Sequence, residues 1–230
     1  MNILAINGSP RSEASNSWKL AKAFIKGIQS DGDSVCIIDV SKLDIRSCLG
    51  CFSCWARTPG KCCISDDMAE VIEARLNADI VIWSFPLYYY TVPGKLKTLI
   101  DRQLPMVCPT LIDREDGFGS GSHPARYDLK HQRNVVVSTC GFWSAAGNYD
   151  GVDSLFSHMC GKNNYESIYC GEGELFRVKE LSEITCRYLE TVTRAGREYI
   201  NGGITPETCE ALNIPLLPKD IFEKMANASW

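Results

Sequence analysis

The sequence predicts a doubly wound α/β fold: a five-stranded parallel sheet with helices on both faces. Three observations carry this reading. Five short apolar runs alternate with helix-spaced segments through the whole chain. The runs are continuously apolar, as strands buried on both faces require. The chain, 230 residues with 45% hydrophobic content, is long enough to bury a core of that kind.

Residues 1–7 form the first apolar run and lead into Gly8-Ser9-Pro10. From 17 to 29, Trp18, Ala21, Phe24, Ile25 and Ile28 recur at helical spacing, so the chain begins strand, loop, helix. Runs at 35–40, 80–85, 134–139 and 165–169 supply four more strands, and helical patterns fill 68–76, 93–102, 152–159 and 178–199. Two connections are too long for plain turns: 43–65, which holds a cysteine cluster, and 104–132, which includes the glycine-rich stretch 117–124. Such connections in compact domains are functional or disordered. Residues 1–200 therefore read as one domain. Residues 201–230, with Pro206, Pro215 and Pro218, read as a poorly regular extension or oligomer arm.

A net charge of −4 without any Lys/Arg block lacks the electrostatic footprint of a nucleic-acid binder. No apolar run approaches a membrane span, and Met1 leads directly into a strand-like segment, so the expected location is the cytoplasm. In that reducing compartment the twelve cysteines stay free or ligate metal. Five lie within 48–63. The other seven, including Cys36 and Cys170, read as small buried hydrophobes without a role.

Between the first strand and the first helix lie Asn7-Gly8-Ser9-Pro10-Arg11 and Ser15-Asn16-Ser17. A helix N-terminus presents unpaired N–H groups and a positive dipole end, so small hydroxyl residues there can wrap a phosphate. Ser9, Ser15, Asn16 and Ser17 supply donors, and Arg11 offsets the anion. The loop matches neither the P-loop nor the dinucleotide fingerprint, which argues for a mononucleotide. Either serine alone would be an ordinary helix cap. Two clusters together at a strand's carboxyl end favour a ligand. Residues 84–90 and 139–143 end the third and fourth strands and project onto the same edge, bringing aromatic and small residues to one cleft. Packing beneath a loop is the alternative for Tyr88–Tyr90. Lys95, Asp101 and Arg102 read as a solvated helix face with a structural ion pair. His123, His131 and His158 have no partners at ligand or triad spacing, and no catalytic residue is assigned.

Taken jointly, several motifs resemble the flavodoxin-like NADPH-dependent FMN reductase family, including its iron–sulfur flavoprotein branch. They are Gly8-Ser9-Pro10-Arg11 with Ser15-Asn16-Ser17; Cys48-x-x-Cys51-x-x-Cys54 with Gly60-Lys61-Cys62 and Asp66-Asp67-Met68; Ser84 to Tyr89; Lys95 with Asp101-Arg102; and Ser138 to Phe142. The resemblance implies a flavodoxin-like fold holding FMN. Pro86, Leu87, Tyr88, Tyr89, Thr139, Cys140, Gly141 and Phe142 would contact the flavin ring, and the family suggests a homodimer or tetramer. It also implies that Cys48, Cys51, Cys54 and Cys62 are ligands of a [4Fe–4S] cluster. The spacing itself is compact enough for four thiolates to reach one cube. It leaves open whether Cys62 or Cys63 ligates, and whether the segment is instead a thiol-rich loop over the flavin. Zinc fits less well, since all-cysteine zinc sites favour two separated Cys-x-x-Cys hairpins.

The expected function is an NAD(P)H-dependent FMN oxidoreductase, passing electrons from a nicotinamide through FMN to a small-molecule or protein acceptor. One alternative is an iron–sulfur flavoprotein that transfers electrons from a ferredoxin-like donor. Another is a non-catalytic thiol or metal sensor on the same scaffold. A cofactor that carries the redox chemistry explains why no acid–base pair stands out.

Overall fold

The computed structural model describes residues 1–114 and 121–229; the glycine-rich stretch expected at 117–124 lies partly outside them. In chain order the elements are β1 (Asn2–Asn7), α1 (Asn16–Ile28), β2 (Ser34–Asp39), α2 (Ser53–Ala56), α3 (Met68–Leu76), β3 (Ile80–Pro86), α4 (Gly94–Asp101), β4 (Arg133–Thr139), α5 (Asp150–Cys160), β5 (Glu166–Cys170), α6 (Ser182–Ile200), α7 (Pro206–Asn213) and α8 (Lys219–Asn227). All five strands pair in parallel in the order β2-β1-β3-β4-β5. This is the doubly wound, flavodoxin-like arrangement, with its sheet switch between β1 and β3.

The pleat sends alternate side chains into two separate cores. Ile3, Ala5, Ile80, Ile82, Val135 and Val137 meet Trp18, Phe24 and Ile28 of α1 and Tyr188 and Val192 of α6 on one face. Leu4, Ile6, Val81, Trp83, Phe85 and Val136 meet Met68 and Val71 of α3, Leu96 and Leu99 of α4, and Val152 and Phe156 of α5 on the other. Both faces of β1, β3 and β4 are covered by helices, which is why those runs are apolar throughout. β2 differs because it is an edge strand. Its Ile37 is half exposed and Cys36 is exposed, not buried as expected. Cys186 and Cys209 are exposed as well, whereas Cys140 and Cys170 are buried.

Helices α1 and α6 cross closely at Gly27 and Gly196. A Cβ on Gly27 would lie 2.2 Å from the Thr193 carbonyl oxygen, and one on Gly196 would lie 2.5 Å from that of Phe24. Only glycine admits such an approach.

The C-terminal segment departs from the poorly regular tail expected. It forms α7 and α8, and Pro206 and Pro218 open helices instead of breaking them. Thr205 caps α7 with Pro206 in its first turn, and Pro218 is the N-cap of α8. Leu212 joins the α1/α6 core, and the Tyr188 hydroxyl donates to the Leu212 carbonyl at 3.1 Å. The buried Glu172 carboxylate accepts from the Leu216 and Leu217 amides, fixing the α7–α8 link beside β5.

Candidate functional site at the carboxyl edge of the sheet

Because the strands are parallel, β1, β3 and β4 end on one edge, and their loops are stitched together there. The Gly8 amide donates to the Ser84 carbonyl at 2.7 Å, and the Leu87 amide donates to that of Thr139 at 2.8 Å. Gly8 is confined by α4: a Cβ there would sit 2.6 Å from a methyl of Leu96.

The loop after β1 is internally organised. Asn7 accepts from the Ser9 amide and donates to the Ser12 carbonyl, Ser9 accepts from the Arg11 amide, and Ser12 donates to Asp39 at the end of β2. Ser15 is the N-cap of α1, accepting from the Trp18 amide, and its hydroxyl lies 2.9 Å from that of Ser17. Ser9, Ser15, Asn16 and Ser17 are all buried. Arg11 is exposed and pairs with Glu174 at 3.1 Å. Asn16 carries a buried carboxamide oxygen without a partner. Such a polar atom at a helix N-terminus is costly unless a ligand meets it, and a carboxamide can present either its donor or its acceptor end.

Two aromatic loops flank this cradle. Tyr88 and Thr91 close a two-residue turn with reciprocal backbone bonds of 3.0 and 3.1 Å, and the turn residues Tyr89 and Tyr90 both have positive φ, 49° and 64°. Bulky residues in that region cost on the order of 1–3 kcal/mol each, and such conformations cluster at functional sites. Tyr89 is 96% exposed, so packing beneath a loop does not describe it. Tyr90 stacks on Phe142, 5.9 Å between centroids. Thr139 and Cys140 are buried, while Gly141 and Phe142 are exposed. A cleft of about 140 Å³ joins Gly8, Ser9 and Pro10 to Ser41, Tyr88, Pro93, Gly94 and Lys95. Pro86, Leu87, Tyr88 and Tyr89 and the 139–142 loop thus share one edge with the 9–17 loop.

The cysteine segment folds around a separate cavity. Cys48, Cys51, Cys54, Cys62 and Cys63 all line one small cavity, together with Arg102. Cys51 and Cys63 sit 3.6 Å apart. A hydrogen bond from the Ser53 backbone, helped by the Ser53 side chain and Cys63, brings the Cys51 thiol down to about 7, and burial pushes Cys54 up. Among the described residues, no three Cys, His, Asp or Glu side chains are grouped as a single metal ion would need. The bulky residues inside this segment anchor it. Phe52 packs on Trp55, whose indole packs at a tilt against His123 and donates to the Leu104 carbonyl at 3.2 Å, docking the cysteine loop on the 104–132 loop.

The expected solvated ion pair on α4 is resolved differently. Asp101 pairs with Lys97 at 2.6 Å on the surface, and Lys95 donates to the Ser41 carbonyl. Arg102 is 1% exposed and makes a bidentate pair, 2.8 and 2.9 Å, with the equally buried Asp66. Leu96, Leu99 and Arg102 follow one another at three-residue spacing, a pattern that places Arg102 on the inward face.

Fold and loop positions define a flavodoxin-like protein with a buried hydroxyl-lined loop at the carboxyl edge of its sheet. Residues 1–109 match the model of the NADPH-dependent FMN reductase family, so the resemblance carried by the motifs holds for the N-terminal half of the chain. An iron–sulfur flavoprotein of Archaeoglobus fulgidus is 37% identical over 105 residues, 46% of each chain. One from Methanocaldococcus jannaschii is 33% identical over 106 residues, 46% of this chain and 53% of that one. The matched segment thus spans about half the length of these relatives. The FMN-dependent NADH-azoreductase of Bacillus anthracis, solved in complex with FMN, superposes with a TM-score of 0.61. It is 18% identical and covers 87% of this chain and 99% of its own, which shows a shared fold. No helix among the described residues is long and apolar enough to cross a membrane.

Proposed function

We propose that the chain is an FMN-dependent NAD(P)H oxidoreductase. The observation that carries this is the buried, unpartnered Asn16 carboxamide oxygen at the capped start of α1, on the edge where the two aromatic loops converge. Ser9, Ser15, Asn16 and Ser17 would hold the FMN phosphate, with Arg11 at the rim. Pro86, Leu87, Tyr88 and Tyr89, with Thr139, Cys140, Gly141 and Phe142, would bound the ring. When bound, the flavin supplies acceptance of a hydride and its release as electrons. The chain's own work is to orient the ring, to limit water at its face and to leave an exposed aromatic surface, Tyr89 and Phe142, for a nicotinamide. The cytoplasmic, homo-oligomeric setting and a small-molecule or protein acceptor belong to the same reading. Anaerobic titration of the flavin-loaded protein with NADH and with NADPH tests it. Bleaching of the visible flavin bands by either supports the reading, and no bleaching by both overturns it.

A second reading, electron transfer through an iron–sulfur centre on Cys48, Cys51, Cys54 and Cys62, is favoured by the convergence of these thiols and a buried cation on one cavity. Each ligand of a cube binds its own iron, so the four sulfurs need not be grouped around one ion. Cys62 is half-buried, whereas Cys63 is exposed and contacts Cys51, which supports Cys62 as the fourth ligand. Iron determination on anaerobically purified protein checks this, with about four irons per chain expected.

A further inference from the structure

The guanidinium of Arg102 has more hydrogen-bond donors than the protein around it uses. One terminal nitrogen donates to the Arg46 carbonyl and to Asp66, and the other donates to Asp66. These bonds tie α4 to the 43–65 loop and account for a structural role. The Nε–H remains, buried and without an acceptor. With the side chain 1% exposed, bulk water cannot serve it. The same side chain lines the cavity of Cys48, Cys51, Cys54 and Cys62, and the Cys62 sulfur lies within interaction range of the guanidinium.

We infer that Arg102 is a positioning residue that donates its Nε–H into the cysteine cavity and thereby sets the reduction potential of the iron–sulfur centre held there. The inference rests on the iron–sulfur reading above. Sulfur in a thiolate-ligated cluster is anionic, and its charge grows by one unit when the cluster takes up an electron. A fixed cationic donor favours the reduced form more than the oxidised one, which raises the potential. Asp66 works in the opposite sense. Its carboxylate neutralises the guanidinium and damps the field that reaches the sulfurs.

The two partners therefore predict shifts of opposite sign, which a purely structural role does not. The experiment compares wild type, Arg102→Gln, Arg102→Lys and Asp66→Asn, each purified anaerobically with its cluster. Iron content is measured first, and then the one-electron midpoint is found by dithionite titration followed by electron paramagnetic resonance. In Arg102→Gln the reduced-to-oxidised ratio at the wild-type midpoint should fall about tenfold, a shift of about 59 mV to lower potential. Arg102→Lys keeps the charge but loses the planar donor, and should fall less. Asp66→Asn should rise. Unchanged midpoints, or a fall in Asp66→Asn, overturn the inference. If Arg102→Gln does not fold or hold iron, the sign of the Asp66→Asn shift decides alone. Wild-type protein with flavin but no iron refutes the underlying iron–sulfur reading instead, and the two failures are thus distinct.

Discussion

Replacing Gly27 by alanine tests whether the α1–α6 crossing holds the candidate site in place. Alanine is the better helix former by roughly 1 kcal/mol, so propensity alone predicts stabilisation. The crossing predicts the reverse. The new methyl would meet the Thr193 carbonyl oxygen at 2.2 Å, about 0.8 Å inside the 3.0 Å that real Cβ contacts respect. Neither atom can rotate away, because both are fixed to helical backbone, so the helices must separate. Overpacking that forces backbone to move costs about 1–3 kcal/mol, and a rigid contact belongs at the top of that range. Against the propensity gain, the net is a loss of about 2 kcal/mol. Urea unfolding reads this as a lower midpoint at unchanged slope. Gly196→Ala meets Phe24 at 2.5 Å on the same crossing. Once the helices have parted for one methyl, the second costs less, so the double variant should be less destabilised than the sum of the singles. Gly94→Ala, with nothing within 4 Å of its Cβ, is the control and should be neutral or stabilising. A Gly27→Ala protein as stable as wild type would refute the argument.

Other consequences can be checked independently. Burial alone would raise the Asp66 carboxyl, but hydrogen bonds from Arg102 and the Arg46 and Met68 amides outweigh it and hold the group at about 2. A depressed folded-state value contributes stability above the unfolded range near 3.8 and loses it as pH falls through about 2. Asp66→Asn should therefore cost at least about 2 kcal/mol at neutral pH, with the gap to wild type closing in acid, measured by denaturant unfolding across pH. Asn16→Asp sets a carboxylate where the phosphate is proposed to lie. It should weaken FMN binding more than about tenfold by fluorescence titration while circular dichroism stays native. Tyr89→Gly relieves a positive φ at a residue that packs on almost nothing, and should raise stability by up to about 1 kcal/mol. It should also raise the KM for the nicotinamide if that ring face is the docking surface.

How much was legible in the sequence depends on whether a signal was local. The five strands and the helices between them followed from runs and spacing, because parallel strands under helices on both faces leave a continuous apolar trace that short windows capture. The edge position of β2 left no such trace. Cys36 and Ile37 sit in a run as apolar as the others, and their exposure goes with the strand's place at the edge of the sheet, where helical cover thins out. The α7 and α8 starts did carry a local signal, Thr205-Pro206 above all. Proline reads as a breaker when weighed as composition and as a helix opener when weighed by position.

The cysteine site shows the same divide at the level of charge. The spacing from Cys48 to Cys62 announced four thiols within reach of one another, but their counter-charge comes from Arg102 at the end of α4, after β3 in the chain, where Lys95, Asp101 and Arg102 read together as a solvated helix face. The three-residue step from Leu96 through Leu99 to Arg102 held the correction. A basic residue continuing an apolar helical stripe is drawn towards the core, and a buried cation needs an anion that only tertiary structure identifies. Asp66 meets that need for the charge, and its two oxygens engage only the terminal nitrogens. The remaining Nε–H is the point at which a purely structural explanation of Arg102 stops and a role towards the sulfurs of the cavity begins.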